Sequence, residues 1–134
     1  MSSDLLPEGD PNRFEALMGF EMTDRAPGFC RFRVELGPQH MNRQGRPHGG
    51  VVSALIDAAG LYAGVMDPAT GQDRRAVTVS MSCNYVGAAA GDVLICEGSL
   101  LKAGRSTFFS EARLLDGEDG PLLAAGQGAY KFLR

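Results

Sequence analysis

Residues 40–50 read His-Met-Asn-Arg-Gln-Gly-Arg-Pro-His-Gly-Gly, and Val-Val-Ser-Ala-Leu-Ile-Asp follows at 51–57. Both histidines of the chain, His40 and His48, fall in this stretch. A polar, turn-rich segment passes here into the longest apolar-periodic run, so the spacing predicts a helix from about residue 50 to 65. The first turn of a helix leaves backbone N–H groups with no intrahelical partner, which suits an anion or a developing oxyanion. Asp57 adds a carboxylate further along the same helix. Donors for an oxyanion beside a carboxylate that could attack or activate water point to acyl-transfer chemistry.

The helix has two faces of unequal character. At about 100° per residue, Val51, Val52, Leu55, Ala58, Ala59 and Tyr62 share a broad apolar face that should pack on a sheet. The other side carries Gly50, Ala54, Asp57, Leu61 and Gly64, with Ser53 and Gly60 beside it. These residues are small, and Asp57 is the only charge between His48 and Asp67. Such a face suits a ligand or a second backbone. Asp57 lies eight residues beyond Gly49, about 12 Å along the axis at about 1.5 Å per residue. One Asp side chain does not span that gap. If both groups serve one carbonyl, two antiparallel copies of the helix must supply them, giving a twofold dimer with two composite sites.

Elsewhere the pattern is that of one domain. Residues 1–9 read as a flexible tail and 10–134 as a single domain. Asp10-Pro11 reads as a helix start, and Phe14, Leu17 and Met18 give a short amphipathic helix ending near Gly19. Residues 29–36 alternate as a strand. Val77, Val79, Met81 and Cys83 alternate with polar neighbours, and further strands are expected at 92–101, 107–115 and 122–133. Residues 116–121 form a turn. The order is helix, strand, long helix, four strands, and the short links favour antiparallel pairing. The expected class is α+β, a long helix packed on an antiparallel sheet.

Composition narrows the function. The chain has 134 residues, 44% hydrophobic and 22% charged, with a formal net charge of -3. That gives no basic footprint for nucleic acid. No apolar run approaches the roughly 20 residues of a membrane span, and the N-terminus lacks the pattern of a secretory signal. A cytoplasmic location is expected, with no membrane partner. Cys30, Cys83 and Cys96 have neither disulfide nor zinc spacing and read as buried small hydrophobes. His40 and His48 have no carboxylate at metal-ligand spacing, so no metal site is expected. Ser53, Ser106 and Ser110 lack the Gly-x-Ser-x-Gly setting of a serine hydrolase.

The pattern His-x-Asn-x-x-Gly-x-x-His-Gly-Gly, followed by Leu-Ile-Asp-Ala-Ala-Gly at 55–60, resembles the signature of hotdog-fold acyl-CoA thioesterases of the phenylacetate-pathway (PaaI-like) branch. Lys102-Ala103-Gly104-Arg105-Ser106 also resembles that family's Gly-Arg turn between adjacent strands. The resemblance covers nearly the whole chain. It implies a homodimer with a continuous sheet and shared active sites, often paired again into a tetramer. It implies hydrolysis of acyl-CoA with no metal or cofactor, coenzyme A being part of the substrate. By the same analogy Asp57 of one subunit is nucleophile or general base, and the partner's Gly49 N–H polarises the thioester carbonyl. Asn42 would orient water or substrate, His48 would support the carbonyl site, and Thr78 is a candidate partner for the water. Gly104, Arg105 and Ser106 would contact the CoA phosphates. Gly50, Leu61 and Tyr62 are candidate substrate contacts, with Met41 and Met66 as further acyl-pocket candidates. Two other functions are open on the same fold. One is a non-catalytic acyl-CoA-binding module; the other is a hydroxyacyl-thioester dehydratase, with His48 and Asp57 as its proton-transfer pair.

Overall fold

A computed structural model describes residues 13–134, so the expected tail and the Asp10-Pro11 helix start lie outside the described residues. The elements are helix α1 (Arg13–Met18), strands β1 (Glu21–Ala26) and β2 (Phe29–Glu35), a 3₁₀ turn (Pro38–His40), helix α2 (Gly49–Gly64), and strands β3 (Ala76–Tyr85), β4 (Val93–Ala103), β5 (Thr107–Asp116) and β6 (Leu122–Phe132). The strands form one six-stranded antiparallel sheet in the order β1-β2-β4-β5-β6-β3. This is the hotdog arrangement, an α+β fold in which the sheet wraps one long helix.

The helix-facing side of the sheet is built by alternation. Cys30, Phe32 and Val34 on β2, Leu94 and Cys96 on β4, and Ala112 and Leu114 on β5 are buried against Val51, Leu55, Ile56 and Ala59 of α2. Contact is close enough to require glycine. A Cβ on Gly98 would stand 2.1 Å from the Ala59 carbonyl oxygen, and one on Gly64 would stand 2.1 Å from the Phe108 ring. The sequence reading put Gly60 and Gly64 on the open face of the helix. Both are buried against the sheet instead, because Tyr130 and Phe108 need the space that a side chain would fill. Buried Cys30 and Cys96 are packing residues, and burial pushes the Cys30 thiol up to about 12.

Three further differences matter. Strand β1 was not expected, since Glu-Met-Thr-Asp-Arg-Ala has no apolar alternation. It is an exposed edge joined to β2 by the turn Ala26-Pro27-Gly28-Phe29, with Gly28 at φ 83°. Second, β3 does not pair with β4, its neighbour in sequence. It crosses to the far edge beside β6, so β5 and β6 lie between β3 and β4. The link 86–92 must cover about 14 Å at about 4.8 Å per strand, within reach of seven residues. Third, Val77 and Val79 do not share a buried face with Met81 and Cys83. The β3–β6 register shifts between Thr78 and Ser80. This bulge reverses the alternation, leaving Val77 and Val79 exposed and turning Thr78 toward α2.

Candidate active site

The loop before α2 is locked by its own polar groups. Asn42 Oδ1 accepts from Gln44 N–H at 2.9 Å and Arg46 N–H at 3.1 Å, and Gly45 takes φ 74°. Met41 and Pro47 bridge across the loop. His40 is buried: its Nδ1 accepts from Gly37 N–H at 2.9 Å, which leaves Nε2–H to donate to Met18 O at 2.7 Å. It therefore fastens α1 to the loop. His48 N–H donates to His40 O at 2.7 Å, fixing the residue that starts the helix.

His48 is the N-cap of α2, and its Nδ1 accepts from Gly50 N–H at 2.8 Å. Val51 N–H and Val52 N–H both turn to His48 O. Among the described residues, the Gly49 N–H meets no acceptor, and Gly49 is exposed. A single open donor at the positive end of a 16-residue helix is a place for a carbonyl oxygen that gains charge. Tyr85, at the end of β3, donates its hydroxyl to Gly49 O at 3.0 Å. The sequence reading did not single out Tyr85; it continues the Met81–Cys83 face of β3, and its position beside the start of α2 follows from the crossing of β3 to the sheet edge.

At the other end of β3, Thr78 Oγ1 donates to Asp57 Oδ1 at 2.8 Å. Asp57 is half-buried, on an open stripe of α2 formed with Gly50, Ser53, Ala54 and Leu61. Beneath it, Tyr130 donates its hydroxyl to Asp57 O at 3.3 Å, and burial, then the Asp57 charge, push this phenol upward. Asp57–Thr78 and Gly49–Tyr85 thus form two separate stations on one chain, at opposite ends of β3. The axial argument from sequence anticipates this separation.

Other candidates fall elsewhere. Tyr62 packs edge-on against Phe32 at 5.9 Å and lies under the Arg25 guanidinium. Leu61 packs with the Phe108–Tyr130–Phe132 aromatic cluster. Met41 lines an open hollow with Asn42 and His48, and Met66 bridges to Asp73. Gly104, Arg105 and Ser106 make the exposed β4–β5 turn, closed by Gly104 N–H to Thr107 O at 2.7 Å. The register Ala103–Phe108–Tyr130–Thr78 puts this turn at the same end of the sheet as Asp57. Arg74, stacked 3.6 Å over Phe132, and Lys131 lie at that end too. Among the described residues, no group of three or more His, Cys, Asp or Glu side chains is placed to hold a metal.

Comparison with known proteins decides the family. The model of the Thioesterase superfamily matches residues 44–122, more than half the chain, from the motif loop to the start of β6. The chain belongs to the thioesterase superfamily. As a thioesterase it is a hydrolase of thioesters. It is 29% identical over 118 residues to human acyl-coenzyme A thioesterase 13, covering 85% of this chain and 81% of that protein. A Bacillus halodurans protein solved with CoA superposes with a TM-score of 0.78 at 26% identity, covering 95% of this thioesterase and 82% of that chain. The PaaI protein of the Escherichia coli phenylacetic acid degradation operon shares the fold, with a TM-score of 0.79 at 18% identity over 92% of this chain and 86% of that one.

Proposed function

We propose that this thioesterase hydrolyses acyl-CoA in a site shared between two copies of the chain. Asp57 of one subunit acts as nucleophile or general base, and Gly49 N–H of the other polarises the thioester carbonyl. The observation that carries the reading is the Asp57–Thr78 hydrogen bond of 2.8 Å on an otherwise small and apolar helix stripe, eight residues from an amide with no acceptor. The hydroxyl donates to one carboxylate oxygen and fixes the plane of the group. The other oxygen is left to take a proton from water or to attack carbon.

Strand β3 supports the dimer. It is a ten-residue edge with Val77, Val79 and Tyr85 exposed and with no charged residue or proline, and a long unprotected edge of this kind is a template for pairing. Antiparallel pairing of β3 with its own copy about a central twofold sets the Thr78 end of one chain beside the Tyr85 end of the other. Each Asp57 station then meets a Gly49 station. Asn42 works chiefly by holding the loop that presents His48, and His48 by capping Gly50. The acyl-CoA substrate is suggested by the human relative and the CoA-bound structure. The reading gives the phosphates to Arg105 and its turn, supported by the cationic character of that end of the sheet. A second pairing of dimers into a tetramer and a cytoplasmic location complete the reading.

The dehydratase alternative needs a His–carboxylate pair. The proposed dimer brings His48 of one copy toward Asp57 of the other, but His48 Nδ1 is already taken by Gly50 N–H and Asp57 Oδ1 by the Thr78 hydroxyl, which leaves His48 Nε2 and Asp57 Oδ2 for the assay to discriminate. The binding-module alternative gives Asp57 no task, because a carboxylate beside a thioester adds nothing to affinity. Free-thiol release from a panel of acyl-CoAs, with parallel detection of dehydrated product, tests all three. Thiol release without dehydration is expected; binding with neither product would favour the module.

A further inference from the structure

Beside the Gly49 station, a pocket of ≈ 150 Å³ opens between the start of α2 and the link 86–92. Its floor is apolar: Val52 from α2, with Leu94, Leu114 and Leu123 from three strands. Its roof is the run Gly87-Ala88-Ala89, and Asn42, Arg46, Pro47 and Tyr85 complete the lining. Two features tie it to the reacting carbonyl. Val52 is three residues after Gly49, so the two lie on one side of α2. Tyr85 lines the pocket and also bonds Gly49 O at 3.0 Å.

The roof is held at both ends. Val86 N–H and Gly87 N–H both donate to Leu123 O, at 2.8 and 3.1 Å. Ala90 N–H and Gly91 N–H donate to the two oxygens of the Asp116 carboxylate, at 2.8 and 3.1 Å. The cavity is therefore preformed, and the crossing of β3 to the far edge creates it. Small residues at 87–89 leave the space open.

We propose that this pocket receives the acyl group and that Val52 and Ala89 set its size limit. The proposal rests on the thioesterase reading and deepens it. A space of about 150 Å³ has room for a benzene-sized guest, with the apolar floor under it and the polar groups Asn42, Arg46 and Tyr85 at its rim. The substrate class that fits is an aryl-acyl or short-chain acyl thioester of about six carbons. A longer chain has to leave part of its length in water. Transfer of each methylene into an apolar site is worth about fourfold in kcat/KM until the space is filled.

The test is thiol release from acetyl-, butyryl-, hexanoyl-, phenylacetyl- and decanoyl-CoA by the full chain and by two variants. For the wild type, kcat/KM should climb from acetyl to hexanoyl and phenylacetyl, then level or fall at decanoyl. Ala89→Leu adds three carbons to the roof and should cut the hexanoyl-to-acetyl ratio at least about tenfold. Val52→Ala, a milder change, should move the optimum to a longer chain. Circular dichroism checks both folds. A wild-type profile still rising through decanoyl, or ratios in both variants within about twofold of wild type, overturns the pocket assignment and leaves the thioesterase reading standing. No thiol release by wild type from any of the five removes the acyl-CoA reading itself.

Discussion

Substitution Asp57→Asn separates charge from shape at the centre of the proposed site. The carboxamide keeps Oδ1, so the Thr78 hydroxyl retains its acceptor at the 2.8 Å position, and the half-buried side chain keeps its volume. Stability should stay within about 1 kcal/mol of wild type, because no hydrogen bond or buried contact is lost. What disappears is the group proposed to attack or to take the proton. Loss of a general base lowers turnover by about 10² to 10⁴, or about 2.7 to 5.4 kcal/mol in the barrier. Thiol release under saturating acyl-CoA should show that fall in kcat, while equilibrium binding of CoA stays near wild type. Thr78→Val removes the hydroxyl that orients the carboxylate. It should lower kcat by about tenfold, the smaller end of the range for a hydrogen bond to a charged group at a partly exposed position. The double variant should be no worse than Asp57→Asn, since the two act as one unit. Turnover by Asp57→Asn within about fivefold of wild type would refute the assignment of Asp57.

Arg105→Ala should raise KM for acyl-CoA more than it lowers kcat, and the effect should shrink at high salt because an exposed charge contact is screened; equal KM values at low salt would remove this contact. Gly64→Ala sets helix propensity, worth about 1 kcal/mol in favour, against a Cβ 2.1 Å from a Phe108 ring wedged between Tyr130 and Phe132. The melting temperature should fall by several degrees, and a rise would show that the aromatic cluster yields. Cys30, held at about 12 by burial, should resist iodoacetamide in the folded protein at pH 8, since almost none of it is thiolate there. Labelling read by mass spectrometry as fast as in urea would contradict the burial.

The long helix and five of the six strands were legible because each carries its own periodicity. Gly49 to Gly64 shows a helical repeat, and Thr107–Asp116 and Leu122–Phe132 alternate between defined turns. Strand β1 was hidden because an exposed edge is free to be polar throughout. Strand order was hidden as well: a seven-residue link reads the same whether it joins neighbours or crosses two strands. The site divides along the same line. The positions of Asp57 and of the Gly49 amide on α2 follow from local helix geometry, while the roles proposed for them come from the family resemblance. Pairing of Asp57 with Thr78 was not fixed by the periodicity of β3, which placed Thr78 among polar partners facing away from Val77 and Met81. A single extra residue at the bulge changed that, and bulges leave little mark on composition. The contact of Tyr85 with α2 and the pocket at 86–92 depend on the crossing itself, so no local pattern announces them.

The shared site is the central claim, and mixing two inactive variants tests it. Gly49→Pro removes the open N–H, and the geometry accepts proline. Gly49 is the first helical residue, where proline is favoured, and His48 at φ -61° and ψ 140° has the backbone proline requires before it. A Cβ at Gly49 meets Tyr85 only at 3.8 Å, an ordinary contact. Gly49→Pro and Asp57→Asn should each be inactive alone. Unfolded, mixed in equal amounts and refolded, half the dimers are heterodimers, each with one site intact and one carrying both lesions. Thiol release should return to roughly one quarter of wild type, after light scattering and circular dichroism have established folded dimers. A verified heterodimer with no recovered activity would mean that one chain supplies both groups, or that Gly49 is not the donor.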